Sequence, residues 1–447
     1  MSSCLHQLTT FSAHLKSRTL LLGMKAAPFF RTGSVYLFFS IFTRAIPFLL
    51  LPILTRYIDP TGFGTVNVVT VVTGLTMPII GMCSNSVLYQ RYFKMNPVER
   101  TYFLNDSYKI MLIVSIIFAL VAIPCNSLIV KYLKISLMWF EVAIFSAAAG
   151  MVTTMTTSLY QIKKKALSYG CFQAALMLTG VGLTLLLVVY MRMSWQGRIW
   201  AIFASSFLGS LLALYLNIRD KEIEIARMSH SPQMSTIFRL GGALIPSTVT
   251  GWAVVMTDRL FLTSMTTLEL VGIYSVGVMI AQITNVFLVS LGQSYLPYLY
   301  KYGYSDDVQR RIRIAQGVYL IVAISLTTAL VVTMFAPIVM NLMIDSRYQS
   351  ATKIIGWISF SYAFISISTA FQGLILSVEK NFITIYVSSF TLVVSLIGSY
   401  LLIGRFGITG AAMANAFSSF TSMLLLFFAC LRYTPVLWFD RKILRIN

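Results

Sequence analysis

Apolar runs of about twenty residues recur along the whole chain, and no other feature restricts its fold so severely. Residues 111–124 and 181–191, extended by their neighbours, are two of them. About twenty residues is the length that carries a helix across ~30 Å of hydrocarbon. Inside lipid every backbone N–H and C=O must find its partner within the protein, and repeated long runs meet that demand as helices rather than as a barrel. Only 11% of the 447 residues are charged and 57% are hydrophobic, whereas a soluble chain carries about a quarter charged residues. The expected fold is therefore an all-α integral membrane protein.

About twelve transmembrane helices can be placed, at residues 34–56, 64–90, 109–130, 137–160, 169–191, 195–217, 239–263, 270–297, 314–338, 354–378, 382–403 and 408–431. Their connections differ in charge. The side holding both termini collects 24 Lys and Arg, the other side eight, and Arg44 and Arg259 lie within spans, which accounts for all 34. Lys163, Lys164 and Lys165 read as a topology anchor. Because cytoplasmic loops carry the Lys/Arg excess, both termini are expected in the cytoplasm. The longest loop, residues 218–238, separates a 34–217 lobe of six helices from a 239–431 lobe of six, with residues 1–33 and 432–447 as cytoplasmic ends. Traces of duplication accompany this division. A shift of 208 residues lays Leu54-Thr55 on Leu262-Thr263 and Gly64 on Gly272, and a shift of 213 lays Ser205-Ser206-Phe207 on Ser418-Ser419-Phe420 and Gly197 on Gly410. Six spans per repeat give both the same orientation, so the pseudo-axis would follow the membrane normal, with a substrate path between the repeats.

Several function classes fall away. The net charge of +20 is explained by the loop bias, and no aromatic-interleaved basic stripe suggests nucleic acid. Cys4, Cys83, Cys125, Cys171 and Cys430 are scattered, with no metal or redox spacing. His6, His14 and His230 all lie outside the spans, so neither a metal centre nor a histidine proton relay is expected. No G-x-x-x-x-G-K-[ST] loop is present to cradle a nucleotide. The first thirty residues are polar and basic without a signal-peptide pattern, and Met24 followed by Lys25 is an alternative start to Met1.

The ionisable residues inside spans carry the functional signal. Arg44 sits about ten residues into the first span, ~15 Å deep at 1.5 Å per residue, and that span holds no acid. A charge at such depth costs at least ~2.5–3.5 kcal/mol unless a cavity or a partner receives it. Arg44 is thus a substrate contact or is neutralised by an acid on another helix, Asp258 being the candidate. Asp258 and Arg259 follow one another late in the seventh span and project about 100° apart, so one would face a cavity while the other pairs elsewhere, or both would reach for the nearby surface. Arg56 and Arg91, at the ends of the first and second spans, read as interface anchors with a second-tier claim on substrate. Pro47 and Pro52 each remove a hydrogen bond from the first span and mark it as a hinge or a static kink.

The segment Pro52-Ile-Leu-Thr-Arg-Tyr-Ile-Asp-Pro-Thr-Gly-Phe-Gly resembles the opening of Wzx-type polysaccharide (O-antigen) flippases, members of the multidrug/oligosaccharidyl-lipid/polysaccharide exporter superfamily. Thr257-Asp-Arg-Leu-Phe-Leu, Val271-Gly-Ile-Tyr-Ser-Val, Pro297 and Gly407-Ile-Thr-Gly-Ala-Ala resemble later segments of the same family. The resemblance extends from about Ser34 to Arg432. It implies a V-shaped pair of six-helix lobes around a central cavity, alternating access, an undecaprenyl-pyrophosphate-linked oligosaccharide as cargo, and a cationic cavity onto which Arg44 and Arg259 are placed. It also implies a bacterial inner membrane and, as partners, a polysaccharide polymerase and a chain-length regulator.

Three readings compete. A lipid-linked oligosaccharide flippase handles a pyrophosphate, which suits the fixed, bidentate donors of arginine. A cation-coupled drug exporter of the same superfamily needs cavity carboxylates, and the first span offers two arginines and no acid. A membrane polysaccharide polymerase needs a large extramembrane loop, and no outer loop exceeds about 15 residues. No cofactor is expected. Coupling to protons or sodium is open, with Asp258, Asp345 and Glu379 as the acids that could serve it.

Overall fold

The structure, a computed structural model, describes residues 39, 46, 48–224, 232–302, 308–378, 380–434, 436 and 438. Arg44, Pro47, Glu379 and the three histidines lie outside the described residues. The elements are α1 (Phe48–Tyr57), α2 (Pro60–Ile80), α3 (Ser84–Arg91), α4 (Pro97–Ala122), α5 (Asn126–Leu133), α6 (Leu137–Ile162), α7 (Ala166–Thr184), α8 (Ser194–Arg219), α9 (Met234–Met265), α10 (Leu268–Tyr302), α11 (Val308–Met343), α12 (Thr352–Ser377) and α13 (Asn381–Tyr433). Among the described residues there is no strand, and nine helices have the length and hydropathy of a membrane span.

The count of nine spans includes one very long element. α13 runs for 53 residues, but Gly407 within it has φ +57° and ψ −129°, a combination open only to glycine. Leu402 meets Gly410, and Gly398 meets Ala414. These pairs are placed symmetrically about position 406, so the two arms of α13, 381–406 and 408–433, run antiparallel. Each arm is long enough to cross the bilayer. The 32-residue α9 is ~48 Å long, also ample for a span. Gly407→Ala should lower stability by about 1–3 kcal/mol, read as a fall in the thermal midpoint in detergent. An unchanged midpoint would mean that the turn does not depend on glycine.

Local chemistry explains where the helices start. Asp59 caps α2, its carboxylate accepting from the Gly62 N–H at 3.2 Å, with Pro60 at the first helical position. The third span begins at Pro97, a dozen residues before the expected 109, because Asn96 and Glu99 form a capping box. Arg100 and Lys109 therefore lie on the helix, where Lys109 pairs with the fully buried Asp106 at 3.3 Å. The fifth span continues from α7 through a π-helical stretch, Leu185–Tyr190.

Two faces of the bundle can be told apart by these ends. The Gly407 face carries the α1–α2 and α9–α10 connections and the short Ser346–Ala351 turn. The opposite, linker face carries the connection between α8 and α9. Near the Gly407 face one apolar core crosses between helices before and after that connection, joining Leu51, Ile58 and Val69 to Leu262, Tyr274, Ile354 and Ala411. A second cluster, with Phe103, Leu104, Ile144 and Met155, also takes in Ile237 of α9 toward the linker face, and a third holds Ile314, Phe371, Leu374 and Cys430. At the linker face, Asn105 donates to the Glu224 carbonyl at 3.0 Å, and Asp106 accepts from Gln233 N–H at 2.9 Å. Neighbouring residues of α4 thus hold both ends of the α8–α9 connection, Asp106 sitting at the positive end of the α9 dipole.

Candidate functional site

Backbones approach very closely where α2 crosses α10. A Cβ built on Gly64 would overlap the Leu268 carbonyl oxygen, and one on Gly272 would overlap that of Pro60. A shift of 208 residues exchanges Gly64 with Gly272 and Pro60 with Leu268. The contact is therefore self-complementary, as at an isologous interface. Additional bonds close the same face. Arg347 donates through Nη2 to the carbonyls of Thr55 (3.1 Å) and Arg56 (3.2 Å), and Tyr348 donates from its hydroxyl to Ile58 O at 2.8 Å. Lys134 donates to Thr266 O. Asp345 steadies Arg347, accepting from its Nε at 2.9 Å, and the guanidinium holds that carboxyl below the usual carboxylate range. A lowered native pKa gives a contribution present above the unfolded value and lost as pH falls through the folded one. The Asp345–Arg347 pair is thus fully formed at neutral pH and weakens only in acid.

Asp258 lies on α9 close behind this contact, and it is buried, 5% exposed, rather than reaching the surface. Its carboxylate accepts from the Tyr274 hydroxyl on α10, from Asn415 Nδ2 on the second arm of α13 at 3.2 Å, and from its neighbour's backbone N–H at 2.8 Å. Asn415 Oδ1 accepts from Ser361 Oγ of α12 at 2.6 Å, and Ser361 is 2.8 Å from Ser419 Oγ. Neutral donors thus satisfy the carboxylate, and no ion pair to it is formed among the described residues. Asp258→Asn would present an NH2 group to one of these donors. A stability loss of about 1–3 kcal/mol is expected, partly recovered when Asn415→Asp is added, because the swapped pair keeps one carboxylate and one amide. Equal thermal midpoints for parent and single variant would sink this reading.

Arg259 points elsewhere, as the 100° between adjacent positions requires. Its guanidinium is half-buried, with Nη1 2.6 Å from Met256 Sδ, while Nε is buried without a partner. Tyr362 of α12 lies in the field of both Arg259 and Asp258. Burial of a cation without a compensating acid is costly, and among the described residues no carboxylate forms an ion pair with Arg259. Of the second tier, Arg56 is exposed at the end of α1 and Arg91 is partly exposed in the last turn of α3, both at helix ends. Pro52 lies within α1. Asn415, Ser361 and Tyr362 escaped sequence reasoning. A lone amide among the alanines of the last span was the available signal, since an amide in a span needs a partner.

Residues 29–303 match the family model described as polysaccharide biosynthesis protein. An uncharacterized membrane protein of Haemophilus influenzae is 24% identical over 274 residues, 61% of this chain and 65% of that protein. The match thus spans just under two thirds of that relative's own length, and 66% of a second one from the lsg locus of the same organism, at 22% identity. Among solved structures, the lipid II flippase MurJ in an inward closed conformation superposes with a TM-score of 0.69, at 10% identity, over 91% of this chain and 87% of its own. A point mutant of the MATE transporter VcmN of Vibrio cholerae superposes with a TM-score of 0.58, at 15% identity, over 94% of this chain and 98% of its own. At such identities the superpositions establish the fold. The family match covers more than half of the chain, and this multi-pass membrane protein belongs to the polysaccharide biosynthesis protein family.

Proposed function

We propose that the protein is a flippase moving an undecaprenyl-pyrophosphate-linked oligosaccharide, an O-antigen or related surface polysaccharide unit, from the cytoplasmic to the periplasmic leaflet of a bacterial inner membrane. The observation that carries this reading is the half-buried Arg259 guanidinium, with a buried Nε that no protein group satisfies. A pyrophosphate supplies the acceptors that such a fork lacks. Arg44, expected at mid-bilayer depth, is proposed as its companion, with Pro47 and Pro52 letting the first span bend.

In this reading residues 34–217 and 239–431 are two lobes, with both termini cytoplasmic. The shared core at the Gly407 face and the self-complementary Gly64–Gly272 crossing support a state closed on the periplasmic side. Parting of that crossing would open the site outward, and alternating access would follow from the two lobes rocking about it. Periplasmic polymerase and chain-length regulator are the proposed onward partners. A drug exporter for cations is disfavoured by sign, since the carboxylate at Asp258 is already occupied by protein donors.

The test is deletion in the native host. Surface polysaccharide should disappear while lipid-linked repeat units accumulate on the cytoplasmic leaflet. Loss of polysaccharide without accumulated units would point to a role in synthesis instead.

A further inference from the structure

A second polar feature lies inside the helices that follow the α8–α9 connection. Between α12 and the two arms of α13 is a cavity of about 200 Å³, whose wall includes Ser368, Gln372, Thr391, Asn415, Ser418 and Ser422. Among the described residues, not one that lines it is charged. Ser368 and Thr391 are 8% and 6% exposed, and their hydroxyl oxygens have no protein partner. An unsatisfied buried polar group is costly, so two of them at one cavity call for something that hydrogen-bonds. The volume is far above the ~10–15 Å³ that one water needs, and hydroxyls and amides of α12 and of both arms of α13 lie in the wall beside Ile365, Val387 and Leu426.

Position gives the cavity a use. Its residues on α12 and on the first arm of α13 lie toward Ser377 and Asn381, the linker-face ends of those helices. At its other end Asn415 and Ser419 belong to the wall, and these are the groups that hydrogen-bond Ser361 and, through Asn415, the Asp258 carboxylate. We propose that this cavity is filled with water and gives Asp258 a polar connection to the linker face, separate from the path of the cargo. Its ligand is water, continuous with bulk water at that face. The groups facing Asp258 are Tyr274 from α10, Asn415 from α13 and Tyr362 from α12, with Arg259 on its own helix. This use of the cavity rests on the transport reading, whereas its hydration does not.

Silver ion, a small thiol-reactive cation, tests the proposal on the full chain in oriented vesicles without cargo. The five native cysteines are replaced by alanine, and Thr391→Cys, Ser422→Cys, Ser361→Cys and, as an apolar control, Ala414→Cys are introduced singly. Silver added at the linker face should protect the first three from later maleimide labelling of the denatured chain. Protection should be at least about tenfold faster than for Ala414→Cys, since a thiol in apolar surroundings forms little thiolate. Silver added at the Gly407 face should not protect them. Failure to protect Thr391→Cys and Ser422→Cys in folded protein would show a dry cavity and overturn the proposal. Protection of those two but not of Ser361→Cys would overturn the connection to Asp258. Should Ser361→Cys fail to fold, Ser419→Cys takes its place. None of these outcomes alters the deletion phenotype that tests the flippase reading.

Discussion

Arg259→Ala is expected to reduce glycan export by roughly 10- to 150-fold, the loss of about 1.5–3 kcal/mol that a hydrogen bond to a charged group contributes. Stability should change by less than about 1 kcal/mol, because among the described residues no carboxylate pairs with the guanidinium and none is stranded by its removal. Arg259→Lys should recover only part of the rate, since an ammonium keeps the charge but not the planar fork. Export measured at matched protein levels, beside thermal unfolding of the same variants, separates the two quantities. Parent-like export by Arg259→Ala would remove Arg259 from the cargo path. A large loss of stability instead would assign the side chain to holding α9 in place.

The second large effect is expected at the α2–α10 crossing. Gly64→Ala or Gly272→Ala places a methyl group against a backbone carbonyl of the opposing helix, and backbone yields less readily than a side chain. Each variant should lose about 1–3 kcal/mol or more. The double variant should lose less than the sum, because once the first methyl has parted the helices the second meets less resistance. Strictly additive losses would mean that the two glycines do not share one contact. In the proposed alternating-access cycle the crossing parts when the Gly407 face opens, so the single variants should also favour the open state. A cysteine pair spanning the α1–α2 and α9–α10 connections would then cross-link more slowly.

The helical bundle was legible because the bilayer leaves so little choice: an apolar run of span length has to be a helix, and most expected boundaries fall within a few residues of the observed ones. The exception at α4 is instructive. Hydropathy finds the part of a helix that lies in lipid, whereas Asn96 and Glu99 set where the helix begins, in a stretch too polar to register as a span. The matched pair Gly64 and Gly272 was visible as a weak repeat. That they touch one another was not, since a repeat in sequence fixes equivalence and not distance. Asp258 was legible as a charge in a span, with an arginine, the nearby surface or a coupling ion as its alternative counterparts. The observed partners are a tyrosine, an amide and a backbone N–H, side chains too common in membrane helices to stand out before packing selects them. Arg259 was found for the same reason as Asp258, and the unsatisfied Nε among the described residues could be learned only from the geometry.

Whether a cationic site in this bundle carries a lipid-linked pyrophosphate across the bilayer can be decided with purified protein in proteoliposomes. These hold a polyprenyl-pyrophosphate-linked oligosaccharide, and its sugar is read by a membrane-impermeant glycosidase or lectin. Parent protein should make the inward-facing pool accessible from outside, and Arg259→Ala, equally well incorporated, should do so at least about tenfold more slowly. A parent protein that leaves the pool inaccessible, or an Arg259→Ala variant that translocates at the parent rate, would contradict the role given to this site.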